Sequence, residues 1–387
     1  MKRIFLLISL LFISLTLFAQ GRIRDFGIEP GIFRTGEHNA ITDVPGVKVG
    51  QVTIIEGDDI RTGVTAIIPH EGNLFRLKCP AAVYVGNGFG KLVGVTQIEE
   101  LGNTESPIIL TNTLSVAQGI EGVISYTLAQ EGNETVGSVN AVVGETNDGG
   151  LNDIRGRHVT AEDVLEAIQI ASDGPVEEGC VGAGTGTICF GFKGGIGTSS
   201  RILPASLGGY TVGVLVQSNY GGVLEIDGVP VGEMLGQYSF KKAVEEERAS
   251  MGKMDKCTQD PNLNPDGSCM MVVITDAPLD ARNLKRIAKR AMMGLAKTGG
   301  IASNGSGDYV IALSVCEENL ISESTPTYNP VLLHNDDMSA LFEATIEATA
   351  EALWNSLFQA TDMTGKGGRT VKALPIEKVL KLMGRGE

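Results

Sequence analysis

The sequence feature that most constrains the fold is an uninterrupted apolar run, CMMVVI, at residues 269–274. The run directly follows a polar stretch, residues 250–267, which contains Pro261 and Pro265 and shows no periodicity. Consecutive apolar residues that begin right after turn residues predict a buried strand. The polar stretch before it is typical of an exposed linker, where chains are commonly cut.

Valine- and isoleucine-rich runs bounded by glycine predict further strands. They lie at residues 52–57, 63–69, 81–85, 108–110 and 212–216. Three segments instead show the spacing of amphipathic helices, at residues 160–171, 284–295 and 338–357, and the first begins at a potential cap, Thr160. We expect these helices to lie on sheets, in an α+β or α/β fold built from layers. The chain has 387 residues, of which 42% are hydrophobic, and can form a large core.

The first twenty residues have the pattern of an export signal. Lys2 and Arg3 precede an uncharged, mostly apolar run at residues 4–18, and the small residue Ala19 follows. This order is typical of a secretory signal peptide, so we expect residues 1–19 to be removed and the protein to be exported, periplasmic or secreted. The alternative is a retained anchor, although the run is shorter than the roughly 20 residues that span a membrane.

The net charge argues against nucleic-acid binding, and the spacing of the cysteines argues against a zinc site. The chain has 31 Lys and Arg against 46 Asp and Glu, a net charge of -15, which repels a nucleic-acid backbone. We therefore expect no nucleic-acid partner, and no membrane contact once the signal is removed. The six cysteines match no zinc-binding pattern, although Cys180 and Cys189 could pair after export.

The common catalytic motifs do not fit this sequence. The four histidines form no H-E-x-x-H pattern, and no G-x-S-x-G segment is present. His334, Asp336 and Asp337 could bind a metal or cap the helix that follows them. The glycine-rich segments at residues 86–91 and 182–186 lack the strand-and-helix context of nucleotide loops, which favours tight turns.

The pair Gly267-Ser268 offers a nucleophile that needs neither histidine nor metal. Asp-Gly-Ser is ordinary turn chemistry, but a chain cut before Ser268 would carry an N-terminal serine. The α-amino group has a pKa of about 7.7–8.0 and can act as the base for the adjacent hydroxyl. Gly267, which has no Cβ, tolerates a strained backbone and lets Ser268 Oγ approach its carbonyl.

Residues 268–279, SCMMVVITDAPL, resemble the start of the β-subunit in the DmpA-like aminopeptidases. This family includes L-aminopeptidase/D-amidase-esterases and β-peptidyl aminopeptidases. Matching segments occur in the family's order at residues 39–50, 111–116, 144–149, 194–201 and 212–219. The resemblance covers nearly all of the chain after the signal. It implies an α+β fold, a four-layer αββα sandwich similar to N-terminal-nucleophile hydrolases but connected differently.

The resemblance also implies a self-cut catalytic domain and a set of catalytic residues. Residues 20–387 would form one domain, cut between Gly267 and Ser268 into an α chain, residues 20–267, and a β chain, residues 268–387. Ser268 would be the nucleophile, and Ser306 would hold its amine and relay protons. Asp308 would orient Ser306, and Asn219 would donate to the oxyanion. Taken singly, Ser306, Asp308 and Asn219 are more typical of turns, but together with Ser268 and the ordered family segments they favour a catalytic site.

Two further residues are assigned by resemblance to substrate binding. Glu145 would bind the free ammonium of the substrate, unless it only caps a loop. Asn147 stands where some relatives have an active-site tyrosine. Substrates would be small peptides, amino acid amides or esters, including D- or β-residues, with no cofactor and with processed protomers in a homotetramer. The alternatives are an acyltransferase on the same scaffold and a non-catalytic exported binding protein.

Overall fold

The structure is a computed structural model that describes residues 20–249, 267–322, 324 and 326–386. The predicted signal and residues 250–266 of the polar stretch lie outside these ranges. Within them, no helix combines the length and the apolar character that crossing a membrane requires.

The described chain contains both strands and α-helices. The strands are β1 (Lys48–Glu56), β2 (Ile60–Ile68), β3 (Leu77–Gly88), β4 (Leu92–Val93), β5 (Asn103–Thr104), β6 (Ile108–Asn112), β7 (Val142–Thr146), β8 (Ile188–Cys189), β9 (Phe192–Lys193), β10 (Gly195–Ile202), β11 (Thr211–Asn219), β12 (Ser268–Thr275), β13 (Gly307–Ser314), β14 (Ile321–Ser322), β15 (Met363–Gly365) and β16 (Arg369–Val371). The helices are α1 (Val95–Leu101), α2 (Val116–Leu128), α3 (Ala161–Gln169), α4 (Val231–Leu235), α5 (Lys241–Ala249), α6 (Ala281–Lys297), α7 (Ser339–Phe358) and α8 (Ile376–Leu382). All of the predicted strands are present.

Two sheets form the centre of the molecule. The first has the strand order β1-β2-β6-β7-β4, and the second has the order β10-β11-β12-β13-β3-β14, with β5 beside β3. Helices α2 and α3 pack on the first sheet, and α6 and α7 pack on the second. One apolar cluster fills the space between the sheets, and one lies under each helix pair. The predicted αββα sandwich is therefore confirmed.

Strand β12 is buried along its whole length, as its apolar run predicts. Its side chains alternate between two cores: Met271 and Val273 face α6 and α7, and Met270 and Val272 face the other sheet. Helix α6 returns the chain so that β13 runs parallel to β12, with Ser268 beside Gly307. The parallel pairing explains how residues far apart in sequence meet at the start of both strands.

Two of the predicted helices are confirmed in detail. Thr160 caps α3: its Oγ1 accepts from the Asp163 N–H at 3.2 Å, and Asp163 Oδ2 accepts from the Thr160 N–H at 2.7 Å. Helix α6 ends at Lys297, just before Gly299. The proposed cap at His334–Asp337 is not formed, since no side chain there bonds to the backbone at the start of the helix. No group of residues in the described ranges is arranged to bind a metal.

The prediction that α7 is amphipathic is wrong, because this helix is buried on nearly every side. The segment at residues 23–39 contacts one side of α7. Glu351 pairs with Arg201 and Arg24, each at 2.7 Å, and Glu347 pairs with Arg201 at 2.9 Å. These ion pairs allow carboxylates to lie inside the protein.

Cysteines in the described ranges form no disulfide. Cys180 and Cys189 both carry free thiols, so the suggested pair between them is not formed. Burial raises the pKa of the Cys189 thiol to about 12, which keeps it protonated. Cys257 lies outside the described residues.

Candidate active site

A cavity of about 750 Å³ opens where β11 and β12 meet the end of β7. Four of the predicted catalytic and substrate-binding residues line it, together with Gly267 of the predicted cut: Ser268, Asn219, Glu145 and Asn147. Ser306 and Asp308 are buried next to it, at the start of β13. The structure thus brings all six residues into one region, although they come from four separate parts of the chain.

The Ser268 hydroxyl lies against the peptide bond that precedes it. Its Oγ donates a hydrogen bond to the Gly267 carbonyl oxygen at 2.6 Å. The Gly307 N–H points at the same place and is 3.2 Å from both the Gly267 oxygen and Ser268 Oγ. A hydroxyl and a backbone donor therefore both contact the oxygen of one carbonyl group, and a backbone donor in this position can stabilise negative charge that develops on that oxygen.

Position 267 requires glycine, because there is no space for a Cβ atom. A Cβ at this position would stand 2.0 Å from the Asn219 carbonyl oxygen and 2.6 Å from Tyr220 Cα, both of them backbone atoms. Its φ is not among the positive values of the chain. The prediction that Gly267 has a strained backbone is thus not supported by its φ angle. Glycine is needed here because a side chain would clash with the β11 backbone.

The Asn219 side chain is held at both ends. Its Oδ1 accepts from the Ile188 N–H at 2.8 Å, and its Nδ2 donates to the Asn147 carbonyl oxygen at 3.2 Å. Asn219 is also the cross-strand partner of Ser268. The amide is therefore fixed in orientation, and its second N–H is available to a group in the cavity.

Glu145 is buried at the other side of the cavity. One of its oxygens accepts from the Lys91 N–H at 2.9 Å, and the other accepts from the Thr113 hydroxyl. The Lys91 ammonium is 3.9 Å away and largely exposed. Glu145 is thus a preorganised carboxylate at the cavity wall, and an ammonium group is the natural partner for it.

Asn147 lies at the cavity wall with its side chain in a local turn. Its Oδ1 accepts from the Gly149 N–H at 3.0 Å, while its carbonyl oxygen accepts from Asn219. The backbone of Asn147 therefore orients Asn219. The amide nitrogen of its exposed side chain remains available to a substrate.

Ser306 and Asp308 lie in the buried layer next to Ser268. Neither Ser306 Oγ nor either carboxylate oxygen of Asp308 has a hydrogen-bond partner of normal geometry among the described residues. Burial raises the pKa of Asp308 to about 6, although the nearby Ser306 hydroxyl and Cys269 backbone oppose the change. The contact between Ser306 and Asp308 is thus polar but is not a formed hydrogen bond, so both groups can accept a new donor.

This pKa predicts how Asp308 affects stability before any cut. The carboxyl has a pKa of about 6 in the folded chain against 3.8 in a model peptide. Its protonation stabilises the fold at low pH, and that contribution is lost as pH rises through 6. In an uncut Ser268→Ala background, Asp308→Asn should raise the free energy of unfolding more at pH 7.5 than at pH 4. The expected change is about 2–3 kcal/mol, at about 1.4 kcal/mol per pKa unit.

Urea unfolding of both variants at the two pH values tests this. Burial also raises the pKa values of Asp148 and Glu178. Both residues are present in both variants, so their contributions to the pH dependence of unfolding cancel in the comparison. An equal effect of Asp308→Asn at both pH values would show that the folded-state pKa is not raised.

Several residues of the site were not predicted from the sequence. Thr113 lies in a family segment, but nothing local indicates that it holds Glu145. Lys91 belongs to the glycine-rich segment that was interpreted as a turn, and its N–H supports Glu145. Gly307 contributes only a backbone N–H, which leaves no signal in a sequence. Arg369 reaches the cavity from β16, near the end of the described chain.

Comparisons with known proteins agree with this geometry. Residues 39–371 match peptidase family S58. The chain is 41% identical to the beta-peptidyl aminopeptidase BapA of Sphingosinicella microcystinivorans, over 92% of this chain and 90% of that protein. It is 37% identical to the BapA of Sphingosinicella xenopeptidilytica, over 94% and 91% of the two chains.

Solved structures show the same fold. The l-aminopeptidase d-ala-esterase/amidase of Ochrobactrum anthropi, described as a new variant among the ntn hydrolase fold, superposes with a TM-score of 0.81 at 34% identity, covering 95% of this chain and 99% of that one. A beta-aminopeptidase from Burkholderia sp. gives 0.82 at 39%, covering 94% and 98%. The chain belongs to peptidase family S58, and it is an aminopeptidase. The family predicted from the sequence is confirmed.

Proposed function

We propose that this aminopeptidase cuts its own chain between Gly267 and Ser268 and then removes N-terminal residues from short peptides and amino acid amides. The observation that carries the proposal is the contact of the Ser268 hydroxyl with the Gly267 carbonyl oxygen, at 2.6 Å. The names of the relatives support aminopeptidase activity, and the geometry of the site supports self-cutting followed by catalysis by Ser268.

The first step would be attack of Ser268 Oγ on the Gly267 carbonyl carbon. The C–O bond forms, the C–N bond breaks, and the proton of the hydroxyl passes to the leaving amine. The Gly307 N–H stabilises the oxygen on which negative charge develops. Water then hydrolyses the ester, which leaves Gly267 with a carboxylate and Ser268 with a free amine and a free hydroxyl.

Cutting would complete the catalytic group. The new amine of Ser268 appears beside Ser306 and Asp308, which lack hydrogen-bond partners before the cut. An amine held there takes the proton of Ser268 Oγ as it attacks the substrate carbonyl, and returns it to the leaving amine. Asn219 Nδ2 donates to the substrate oxyanion, and water releases the acyl group from Ser268.

Glu145 would select substrates with a free amino end. Its buried carboxylate pairs with the substrate ammonium, which places the first residue between Glu145 and Ser268. The size of the cavity suits small peptides, amides and esters, including those with D- or β-residues at the amino end. The signal-like residues 1–19 support export to the periplasm or the medium, and assembly as a homotetramer is proposed by analogy only.

The test is the intact mass of the denatured protein, with sequencing of each N-terminus. We expect two chains, the second beginning Ser268-Cys269-Met270, together with hydrolysis of an amino acid amide but not of its N-acetylated form. Ser268→Ala should remain one chain and lose activity, because it lacks the nucleophile. Ser322→Ala, an exposed serine on β14, should process normally. A folded, uncut wild-type chain would overturn the proposal.

A further inference from the structure

The cavity has an unusual charge for this protein. Its lining holds one carboxylate, Glu145, and three cations, Lys91, Lys241 and Arg369. The whole chain carries a net charge of -15. An excess of positive charge inside a cleft of an acidic protein favours an anionic ligand group there.

Two of these cations already have partners. The Lys91 ammonium is 3.9 Å from Glu145. Lys241 donates to the Gly236 carbonyl oxygen at 2.8 Å and lies 3.7 Å from Glu245. Positive charge at these two positions is therefore at least partly balanced.

Arg369 differs from them, because no carboxylate of the described residues lies within ion-pair distance of it. Its side chain is exposed, and its Nη1 makes a long hydrogen bond, 3.5 Å, to the Gly150 carbonyl oxygen. A guanidinium has five N–H donors, so most of them remain for a ligand. Its planar fork fits a carboxylate with two parallel hydrogen bonds.

The hairpin that carries Arg369 is fixed to the rest of the fold. The Lys366 N–H donates to the Leu151 carbonyl oxygen at 2.7 Å, and Arg61 Nε donates to the Thr364 carbonyl oxygen at 2.8 Å. Strand β15 also pairs with β16, with Gly365 opposite Arg369. The backbone of Arg369 is therefore held in place, and only its side chain has to adjust to a ligand.

Arg369 and Glu145 lie on opposite sides of Ser268. Gly90 packs against both Glu145 and Gly307, which places Glu145 on the β13 side of the nucleophile. Arg369 Nη1 and the Ile188 side chain both approach Gly150. Ile188 also bonds to Asn219, which places Arg369 on the β11 side. The strand order β11-β12-β13 therefore puts Ser268 between an anion and a cation.

The chain itself limits the separation of the two charges. Glu145 and Gly150 are five residues apart, so their Cα atoms are at most roughly 18 Å apart. An extended peptide rises about 3.3 Å per residue. Peptides of two to four residues, which extend over about 7–13 Å, therefore fit within this upper limit.

We propose that Arg369 binds the free C-terminal carboxylate of short peptide substrates, so that the enzyme prefers di- to tetrapeptide acids over the same peptides as amides. The proposal rests on the proposed function, since it assumes that Ser268 cuts between the two charged ends. Glu145 positions the acyl side, and Arg369 positions the leaving side, which departs as a free amino acid or shorter peptide.

The experiment compares one peptide, Ala-Gly-Gly, as the free acid and as the C-terminal amide. We expect the kcat/KM of the processed wild-type enzyme for the acid to exceed that for the amide by about tenfold, mainly through KM. Arg369→Gln should bring the ratio close to one, and Arg369→Lys should retain part of it. Lys366→Gln, which removes a positive charge from the same hairpin outside the cavity, should keep the wild-type ratio.

The outcomes separate the two proposals. If the wild type cuts the amide as well as the acid, or if Arg369→Gln keeps the wild-type ratio, the carboxylate site is wrong while the proposed function stands. If Lys366→Gln lowers the ratio as much as Arg369→Gln, the effect is one of general charge and direct binding is refuted. If the processed wild type cuts neither peptide but hydrolyses an amino acid amide, the carboxylate site is wrong while the proposed function stands; if it hydrolyses none of the three, the carboxylate site and the proposed aminopeptidase activity fail together.

Discussion

Replacing Gly267 by alanine should leave the chain in one piece. The added Cβ would lie 2.0 Å from the Asn219 carbonyl oxygen and 2.6 Å from Tyr220 Cα. Neither atom belongs to a flexible side chain, so the 267–268 peptide must move away from β11. The Ser268 hydroxyl then loses its alignment with the carbonyl. Because a displacement of about 1 Å can slow a positioned reaction by about 100-fold, we expect processing to slow by at least that factor.

The measurement is the fraction of cut chain over time, from intact mass after export or after refolding. Gly137→Ala is the matched control, because a Cβ there meets nothing within 4 Å and φ is not positive. It should process at the wild-type rate. Processing of Gly267→Ala at that same rate would show that the close approach to β11 does not hold the scissile bond.

Much of the fold could be predicted because its signals are local. The apolar run of β12 requires burial wherever it lies, and the Thr160–Asp163 capping box marks a helix start within four residues. Helix α7 was predicted as a helix, but its burial on nearly every side could not be predicted from its own residues. Glu347 and Glu351 can be buried because Arg24 and Arg201 reach them from distant parts of the chain, and periodicity contains no information about such partners.

The candidate site divides in the same way. Ser268 could be found from the sequence, because its position between a polar stretch and an apolar strand is visible there. The meeting of Ser268 with Gly307 depends on the parallel pairing of β12 and β13. Arg369 is harder to predict. The β15–β16 hairpin, which is distant in sequence from the other site residues, brings it to the cavity, and no motif around it indicates a role in binding or catalysis. Two kinds of site group therefore could not be predicted from the sequence: the backbone N–H of Gly307, and the side chain of Arg369, which comes from a distant part of the chain.

Asn219→Ala should separate self-processing from turnover. The Gly307 N–H is the donor at the Gly267 carbonyl oxygen, so the chain should still cut itself. Turnover instead requires a donor at the substrate oxyanion, and Asn219 Nδ2 is held toward the cavity for this purpose. Removal of one such donor lowers kcat by about 10²–10³. We expect a loss of that size in kcat with a small change in KM, on an amino acid amide and with the two chains intact.

Asn219→Asp sharpens the test, because it keeps an acceptor for the Ile188 N–H but replaces the Nδ2 donor with a carboxylate oxygen that carries negative charge. We expect a loss of kcat at least equal to that of Asn219→Ala, because the variant lacks the donor and also places a negative charge beside the developing oxyanion. If Asn219→Asp retained wild-type kcat while Asn219→Ala did not, the role of Asn219 would be to hold the β8–β9 hairpin through Ile188. The oxyanion would then depend on Gly307 in both reactions, and one backbone N–H would serve first the chain's own peptide bond and afterwards that of the substrate.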